Sequence, residues 1–252
     1  MPRALVVNPN TSASMTAEIE RTAAGVFLPP WSCVVAASPA GPESLESWRD
    51  YALAAVDVLP LLDTHDDRDG IVLSCFGDPG LYGLKELAEV PVVGIAEASM
   101  SMALLVGGKF GILAGMDRAK PLMDSMVRTY GLDARYAGTE SLSMRVLEFD
   151  RNRSATLDRL AETCALLLER GADVVILGCA GLSGYKDELM NRVPVLAIDP
   201  VEAGCRMLKA VVEGGLRTSR GGLYAKPAPQ RMNDLGRLYA PDMIVSLKKW
   251  EG

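Results

Sequence analysis

The sequence predicts an α/β protein that consists of two similar halves, each built on a parallel β-sheet, with a site in the cleft between them. The first observation is that apolar runs of strand length alternate with longer segments of helical period, the pattern of a parallel sheet with crossover helices. The second is that this order of segments occurs twice along the 252 residues, a length that can bury a sizeable core.

The first half contains four predicted strands and two predicted helices. The strands are expected at 4–7, 33–39, 70–74 and 91–97, and the helices at 14–26 and 43–62. The strands are short runs rich in apolar residues, as expected where a sheet is covered by helices on both faces.

The second half repeats this plan. Its strands are expected at 109–115, 172–178 and 194–200, and its helices at 118–130 and 153–170. Gly171 follows the longer of these helices and is predicted to be its C-cap.

Two pairs of motifs define the internal repeat. DGIVLSCFG (69–77) aligns with ADVVILGCAG (172–181) when the cysteines are matched, and VPVVGIAEAS (90–99) aligns with VPVLAIDPVEAG (193–204). The repeat predicts two Rossmann-like domains related by a pseudo-two-fold axis. The first domain is assigned to 1–97 together with 205–252, and the second to 98–204.

The composition excludes several classes of partner. The formal net charge is −6 and the basic residues are scattered, so a nucleic-acid-binding face is not expected. No apolar stretch reaches the roughly 18 residues of a membrane span, and the N-terminus does not resemble a signal peptide. We therefore expect a cytoplasmic protein whose partner is a small molecule, without nucleic-acid or membrane partners.

Acid–base chemistry in this chain cannot depend on histidine clusters. The single histidine, His65, lies in the polar segment THDDRDG and is predicted to be a surface residue, so neither a histidine-rich metal site nor a Ser-His-Asp triad is expected. The five cysteines include no CxxC pair, and a cytosolic location disfavours disulfides. Three of them, Cys33, Cys164 and Cys205, lie in apolar segments and are assigned to the core.

The other two cysteines occupy equivalent positions in the two halves. Cys75 and Cys179 each end the equivalent strand of their half, and in open α/β sheets ligands bind beyond the carboxyl ends of the strands. A pseudo-two-fold axis should therefore place the two thiols opposite each other across a ligand. Either cysteine alone is more readily explained as buried filler, but the matched placement of the pair favours catalysis.

Two opposed thiols suit racemisation at a carbon next to a carbonyl. That reaction needs a base on one face and a proton donor on the other, with the roles reversed for the other enantiomer. Asp78 and Pro79 predict a helix start just after Cys75, and a similar start is expected after Cys179. Helix N-termini there should stabilise a thiolate.

Backbone amides near the cysteines are candidates for binding an enolate oxygen as it forms. The candidate donors of this kind are the N–H groups of Phe76, Gly77, Ala180 and Gly181. Glycine at two of these positions allows close approach of a ligand.

Six motifs along the chain are distinctive, namely NPNTS (8–12), CFGDPG (75–80), PVVGIAEAS (91–99), GCAG (178–181), IDPVEAG (198–204) and TSRGGLYAKP (218–227). Together they resemble the aspartate/glutamate/hydantoin racemase superfamily, and most closely its hydantoin racemase branch, which includes allantoin racemases. The resemblance implies two α/β domains with the site between them, no cofactor, Cys75 and Cys179 as acid and base, and a homo-oligomer. It also implies that Asn8, Asn10, Thr11 and Ser12 contact the substrate, although Thr11 or Ser12 could simply cap the next helix.

Four positions depart from residues that are common in this branch. Trp48 and Ser101 stand where relatives often have histidine, and Ala114 and Gly115 stand where they often have paired threonines. Fewer hydrogen-bonding groups on that side of the site favour a substituent that is bulkier or less polar than the ureido group of allantoin.

The expected activity is racemisation of a 5-monosubstituted hydantoin or a similar cyclic amide. Allantoin, a thiazoline carboxylate and an acidic amino acid remain alternative substrates, and a ligand-binding protein without turnover remains an alternative of another class. Three further side chains have two interpretations each: Glu97 and Asp199 either orient site groups or cap helices, and Arg118 either binds an anionic substrate or lies on the surface.

Overall fold

The computed structural model describes residues 1–64 and 67–228, and it contains two four-stranded parallel sheets. The strands of the first sheet are β1 (Arg3–Asn8), β2 (Ser32–Ala37), β3 (Gly70–Leu73) and β4 (Val92–Gly94). Their order in the sheet is β2-β1-β3-β4. The helices of this part of the chain are α1 (Ala13–Val26), α2 (Trp48–Asp57), α3 (Leu61–Thr64), α4 (Leu81–Leu87) and α5 (Ile95–Val106).

The second sheet has the equivalent strand order, β6-β5-β7-β8. Its strands are β5 (Phe110–Ala114), β6 (Tyr136–Ser141), β7 (Val174–Leu177) and β8 (Leu196–Ile198). The helices that follow them are α6 (Lys120–Thr129), α7 (Arg153–Glu169), α8 (Lys186–Arg192) and α9 (Pro200–Glu213). We refer to the parts of the chain built on the two sheets as the first and the second half. The predicted α/β fold with two pseudo-symmetric parallel sheets is confirmed.

One apolar core runs through both halves. α5 and α9 pack against each other. Ile95 and Met100 of α5 and Leu208 of α9 belong to the same buried cluster as Val72 of the first sheet and Ile112 of the second. Burial of this surface, at about 25 cal/mol per Å² of apolar area, holds the halves together. The predicted domain limits at 97 and 205 both fall within these helices, and the domain division stays a prediction.

Two predicted elements differ from the structure in their bounds, and one strand of the structure was not predicted. The helix expected over 43–62 begins only at Trp48, because Ser47 caps it by accepting a hydrogen bond from the Asp50 amide at 3.2 Å. The strand expected over 91–97 ends at Gly94, where α5 begins. β6 was not predicted at all, since it is an edge strand of mixed composition. The prediction for His65 lies outside the described residues.

Candidate active site

The loops that follow the central strands of both sheets meet at one cavity. In each sheet the second strand in sequence pairs with one side of the first strand, and the third strand pairs with the other side. β1 and β3, and likewise β5 and β7, therefore flank a topological switch point. Ligands of open α/β sheets bind at such points, beyond the carboxyl ends of the strands. A cavity of about 290 Å³ lies here and is lined by residues of both halves.

Both candidate cysteines line this cavity. Cys75 lies two residues beyond the end of β3, Cys179 lies two residues beyond the end of β7, and both are half-buried free thiols. Of the other predicted site residues, Asn10, Phe76 and Ala180 also line the cavity. The remaining three cysteines lie elsewhere: Cys164 and Cys205 are buried, and Cys33 is half-buried on β2.

The other residues predicted in the NPNTS segment do not line the cavity but hold the loop that carries Asn10. Asn8 is buried and donates hydrogen bonds to Asn10 Oδ1 at 3.0 Å and to Thr16 Oγ1 at 2.9 Å. Ser12 is the N-cap of α1, and the backbone N–H of Thr11 donates to the carbonyl of Pro42 at 3.1 Å. The NPNTS segment therefore contributes Asn10 to the cavity, while its neighbours fix the loop.

Gly77 and Gly181 are not among the residues that line the cavity. Gly77 has a φ of +147°, and a Cβ there would lie 2.1 Å from Cε1 of Tyr51, so only glycine lets that ring pack against the loop. Gly181 lies beside Cys179, since a Cβ on it would be 3.6 Å from the cysteine sulfur.

Cys179 lies at the N-terminus of a short 3₁₀ turn. The turn spans Ala180–Leu182 and Cys179 is its N-cap residue. Burial raises the pKa of the Cys179 thiol to about 11, and the backbone N–H groups of Gly181 and Leu182 limit that rise, while the charge of Glu46 adds to it.

Cys75 has a different environment. Burial raises the pKa of its thiol further than that of Cys179, the charges of Cys179 and Asp78 add to the increase, and the Tyr51 hydroxyl opposes it. No helix begins directly after Cys75, because α4 starts only at Leu81. The expected stabilisation of a thiolate by a helix N-terminus is therefore wrong for Cys75, and burial raises both pKa values where a decrease was expected.

Asp78 caps a helix other than the predicted one. Its φ is +45°, and its carboxylate accepts hydrogen bonds from the amides of Ala96 at 3.1 Å and Glu97 at 2.9 Å, at the N-terminus of α5. Gly94 makes room for this contact, since a Cβ there would lie 2.4 Å from the Asp78 Cγ. Tyr130 Oη, from the second half, donates to Asp78 Oδ2 at 2.7 Å. Burial raises the pKa of Asp78 to about 7.

In the second half a carboxylate also links a helix N-terminus to the cysteine loop, but it belongs to the helix and not to the loop. Asp199 is the N-cap of α9 and accepts from the amides of Val201 and Glu202. Its Oδ2 also accepts from Ser183 Oγ and the Gly184 amide, both at 2.8 Å. Asp199 is therefore a helix cap that holds the loop after Cys179. Glu97 also has a capping role, since its Oε1 accepts from the amide of Gly94, the N-cap of α5, at 3.1 Å. It pairs with Lys85 at 2.7 Å and is not among the residues that line the cavity.

Sequence reasoning missed several residues of the cavity. Tyr51 donates a hydrogen bond to the carbonyl of Phe76 at 3.0 Å, and Ser74 and Glu46 also line the cavity. Ser74 precedes Cys75 at the end of β3, so the rule that predicted the cysteine could have found it. Glu46 comes from the segment before α2 and Tyr51 from the first turn of that helix, and no local pattern places them at the cavity.

The four departures from the family have unequal relevance. Trp48 lines the cavity and is 62% exposed, and Gly115 also lines it. Ala114 is buried within β5, and Ser101 lies on an exposed face of α5 where its hydroxyl donates to the Glu97 carbonyl at 2.7 Å. Only Trp48 and Gly115 can therefore affect the substrate directly. Arg118 is exposed and borders the cavity.

Within the described ranges 1–64 and 67–228, no helix is long and apolar enough to cross a membrane. The same residues contain no group of three or more His, Cys, Asp or Glu side chains that could hold a metal ion.

The fold and the cavity define a class of isomerases. A profile described as Asp/Glu/Hydantoin racemase matches residues 5–208, and the chain belongs to this racemase family. It is 34% identical to the hydantoin racemase of Paenarthrobacter aurescens over 91% of this chain and 99% of the relative. The allantoin racemase structure from Klebsiella pneumoniae superposes with a TM-score of 0.88 at 33% identity, covering 94% of this chain and 99% of that chain. The allantoin racemase of Pseudomonas fluorescens gives the same TM-score and identity, over 92% of this chain and 99% of that chain.

Proposed function

We propose that this chain racemises 5-monosubstituted hydantoins, or a similar cyclic amide, without a cofactor and with Cys75 and Cys179 as a pair of acid and base. The observation that carries the proposal is that both thiols line one cavity from equivalent strand ends of the two halves. This arrangement suits a reaction in which a proton leaves one face of a carbon and returns to the other.

The proposed reaction removes one proton from C5 and returns another to the opposite face through an enolate intermediate. The thiolate of one cysteine takes the proton from C5 and becomes a thiol, while the electron pair of the C–H bond moves into the adjacent carbonyl to give an enolate. The thiol of the other cysteine then donates its proton to the opposite face of C5 and becomes a thiolate. The product is the other enantiomer, and the two cysteines have exchanged protonation states. After product release, proton exchange with water restores the starting forms of both thiols, while the exchanged form can instead act on the other enantiomer.

The composition of the cavity supports a substrate with an apolar substituent. Much of the cavity lining is apolar and includes the side chains of Leu45, Trp48, Met116, Pro121 and Leu122. Gly115 also lines the cavity and adds no side chain. A benzyl or branched alkyl group at C5 would be removed from water there, at about 0.8 kcal/mol per buried methylene.

Allantoin is the second candidate substrate. The two allantoin racemases named above are similar to this chain over nearly its whole length. The mostly apolar lining is a poor partner for a ureido group, since burying a polar group without a hydrogen bond costs free energy. We therefore rank a hydantoin with an apolar substituent first.

Polarimetry with enantiopure 5-benzylhydantoin and enantiopure allantoin tests the proposal. The optical rotation of the preferred substrate should decay to zero with the wild-type protein and with Cys33→Ser, a control at a cysteine outside the cavity. The double variant Cys75→Ser/Cys179→Ser should be slower by about 10³-fold or more. Full activity of the double variant would contradict the two-cysteine mechanism, and binding of hydantoin without any change of rotation would indicate a ligand-binding protein.

A further inference from the structure

A carboxylate borders the same cavity and has no role in the proton transfer proposed above. Glu46 lies just before α2, lines the cavity, and its side chain is only 14% exposed. Ser44 Oγ donates to Glu46 Oε1 at 2.9 Å, and the backbone N–H of Glu46 donates to Asp50 Oδ2 at 3.1 Å. Arg145 of the second half approaches Oε2 at 3.6 Å. These contacts fix the carboxylate in position.

The other polar side chains of the cavity are suited to donate hydrogen bonds. Ser74 is buried, and its hydroxyl has no hydrogen-bond partner among the described residues. Asn10 uses Oδ1 to accept from Asn8 and from the Ser12 amide, whereas its Nδ2 makes only a long contact of 3.9 Å to the Met15 sulfur. Asn10 therefore faces a ligand as a donor, and Glu46 is the charged acceptor.

This set of groups fits a ring that carries both carbonyl and N–H groups. Ser74 and Asn10 can donate to a ring carbonyl, and Glu46 can accept from a ring N–H. Charge-assisted hydrogen bonds of this kind are roughly twice as strong as neutral ones.

The charge distribution disfavours anionic substrates. Of the described residues that line the cavity, Arg118 carries the only positive charge, and it is exposed. A substrate carboxylate would be desolvated next to Glu46 without a buried cation to offset its charge. The charge of Glu46 also acts on Cys179, whose pKa it raises, so the carboxylate lies within electrostatic reach of the reacting groups.

We infer that Glu46 is a specificity-determining residue that accepts a hydrogen bond from a ring N–H of the substrate and restricts the site to neutral cyclic amides. The inference rests on the proposed function, because it assigns the substrate class of the same cavity. It separates this chain from racemases of free amino acids, whose substrates carry a carboxylate.

The test compares variants of Glu46 with substrates that lack one N–H. Glu46→Ala should lower kcat/KM for 5-benzylhydantoin by about 10- to 100-fold, the worth of a hydrogen bond to a charged group, mainly through KM. Glu46→Gln, which keeps the size of the side chain, should lose less. The control is Glu43→Ala, because Glu43 is exposed on the same segment and does not line the cavity.

The decisive comparison uses 1-methyl- and 3-methyl-5-benzylhydantoin. Methylation of the nitrogen that faces Glu46 should raise the Kd for the wild-type protein, measured by calorimetry. The same methylation should leave the Kd for Glu46→Ala unchanged, because the hydrogen bond is already absent there. Equal losses in both proteins for both methylated compounds would overturn the inference, as would unchanged binding by Glu46→Ala. Calorimetry reports binding whether or not the protein turns the ligand over. If the proposed function is wrong but the inference on Glu46 is right, the hydantoin binds and is not racemised.

Discussion

The two halves share one topology but surround their thiols differently. Cys179 lies at the start of a 3₁₀ turn whose amides lie beside the sulfur, whereas Cys75 is flanked by Tyr51 and by the carboxylate of Asp78. Burial raises both pKa values, and the raised value of Cys75 exceeds the value of about 11 for Cys179. Matched positions in the repeat therefore bring both thiols to the same edge of their sheets but do not give them the same surroundings or the same acidity.

The halves also anchor their cysteine loops with carboxylates of opposite origin. Asp78 belongs to the cysteine loop and reaches the N-terminus of α5, while Asp199 belongs to the N-terminus of α9 and reaches the cysteine loop through Ser183. Both links extend to the other half, through Tyr130 on Asp78 and through Thr22, whose hydroxyl lies 2.8 Å from Ser183 Oγ. Each cysteine loop is therefore held by both halves.

The largest effect is expected from filling the space that Asp78 occupies. Gly94→Ala would place a Cβ 2.4 Å from the Asp78 Cγ and displace the cap of α5. We expect the free energy of unfolding to fall by about 3 kcal/mol, from overpacking together with the lost cap, as measured by urea denaturation.

Gly25→Ala is the matched control for this substitution. It lies in α1, where a Cβ would meet nothing within 4 Å, and it should be neutral or slightly stabilising. Equal stability of the two variants would contradict the role assigned to Asp78.

The second expected effect concerns the relative reactivity of the two thiols. Alkylation requires the thiolate, and the pKa of Cys75 is raised further than that of Cys179. Iodoacetamide at pH 8 should therefore modify Cys179 about tenfold faster than Cys75 or more, since one pKa unit is a tenfold change in thiolate. Peptide mass spectrometry over time measures both rates, and faster modification of Cys75 would reverse the assignment.

The third prediction is a dependence of stability on pH. The pKa of Asp78 is about 7 in the folded protein, against an ordinary value of 3.8, so between these values the folded state binds more protons than the unfolded state. This group therefore makes the free energy of unfolding fall as the pH rises from about 4 to about 7. Asp78→Asn should make that decrease smaller, by an amount on the order of a few kcal/mol, since each pKa unit between the two values is worth about 1.4 kcal/mol.

An aspartate with the opposite shift serves as the control. Hydrogen bonds from the amides of Gly108 and Lys109 lower the pKa of Asp173, so its contribution is present above the ordinary value of 3.8 and is lost as the pH falls below it. Asp173→Asn should change the acid side of the stability profile and leave the range from 4 to 7 unaltered. An unchanged profile for Asp78→Asn in that range would contradict the shift of Asp78.

The smallest effect is expected for the contact between the halves at Tyr130. Tyr130→Phe removes the hydroxyl that donates to Asp78 at 2.7 Å and should cost about 1 to 2 kcal/mol of unfolding free energy. Its loss should also raise the pKa of Asp78, because this hydrogen bond lowers it. Thr22→Val removes the corresponding contact at Ser183 and should lower the free energy of unfolding in the same way. A variant as stable as wild type would show that the contact it removes does not stabilise the protein.

The sequence predicted the parts of this molecule that follow from periodicity and repetition. The apolar runs of β3 and β7 located the strand ends, and the matched motifs placed Cys75 and Cys179 in equivalent positions. The rule that ligands bind beyond strand ends then led to the edge of each sheet at which the cavity lies.

The rest depended on contacts between segments that are distant in the sequence. Asp78 reads as the cap of the helix that follows it, but its positive φ turns the carboxylate towards α5. Tyr51 and Glu46 reach the cavity from a segment whose helix begins later than its periodicity suggests. The pKa values of the thiols depend on burial in the folded chain, which a motif does not contain.

Isotope exchange in the single variants is the most direct test of the two-cysteine account. Cys75→Ser and Cys179→Ser are each incubated in D₂O with each enantiomer of 5-benzylhydantoin, and loss of the C5 proton is followed by NMR against a buffer blank. The account predicts that each variant exchanges the C5 proton of one enantiomer only, and that the two variants act on opposite enantiomers. Exchange of the same enantiomer by both variants, or racemisation at the wild-type rate by either, would contradict it.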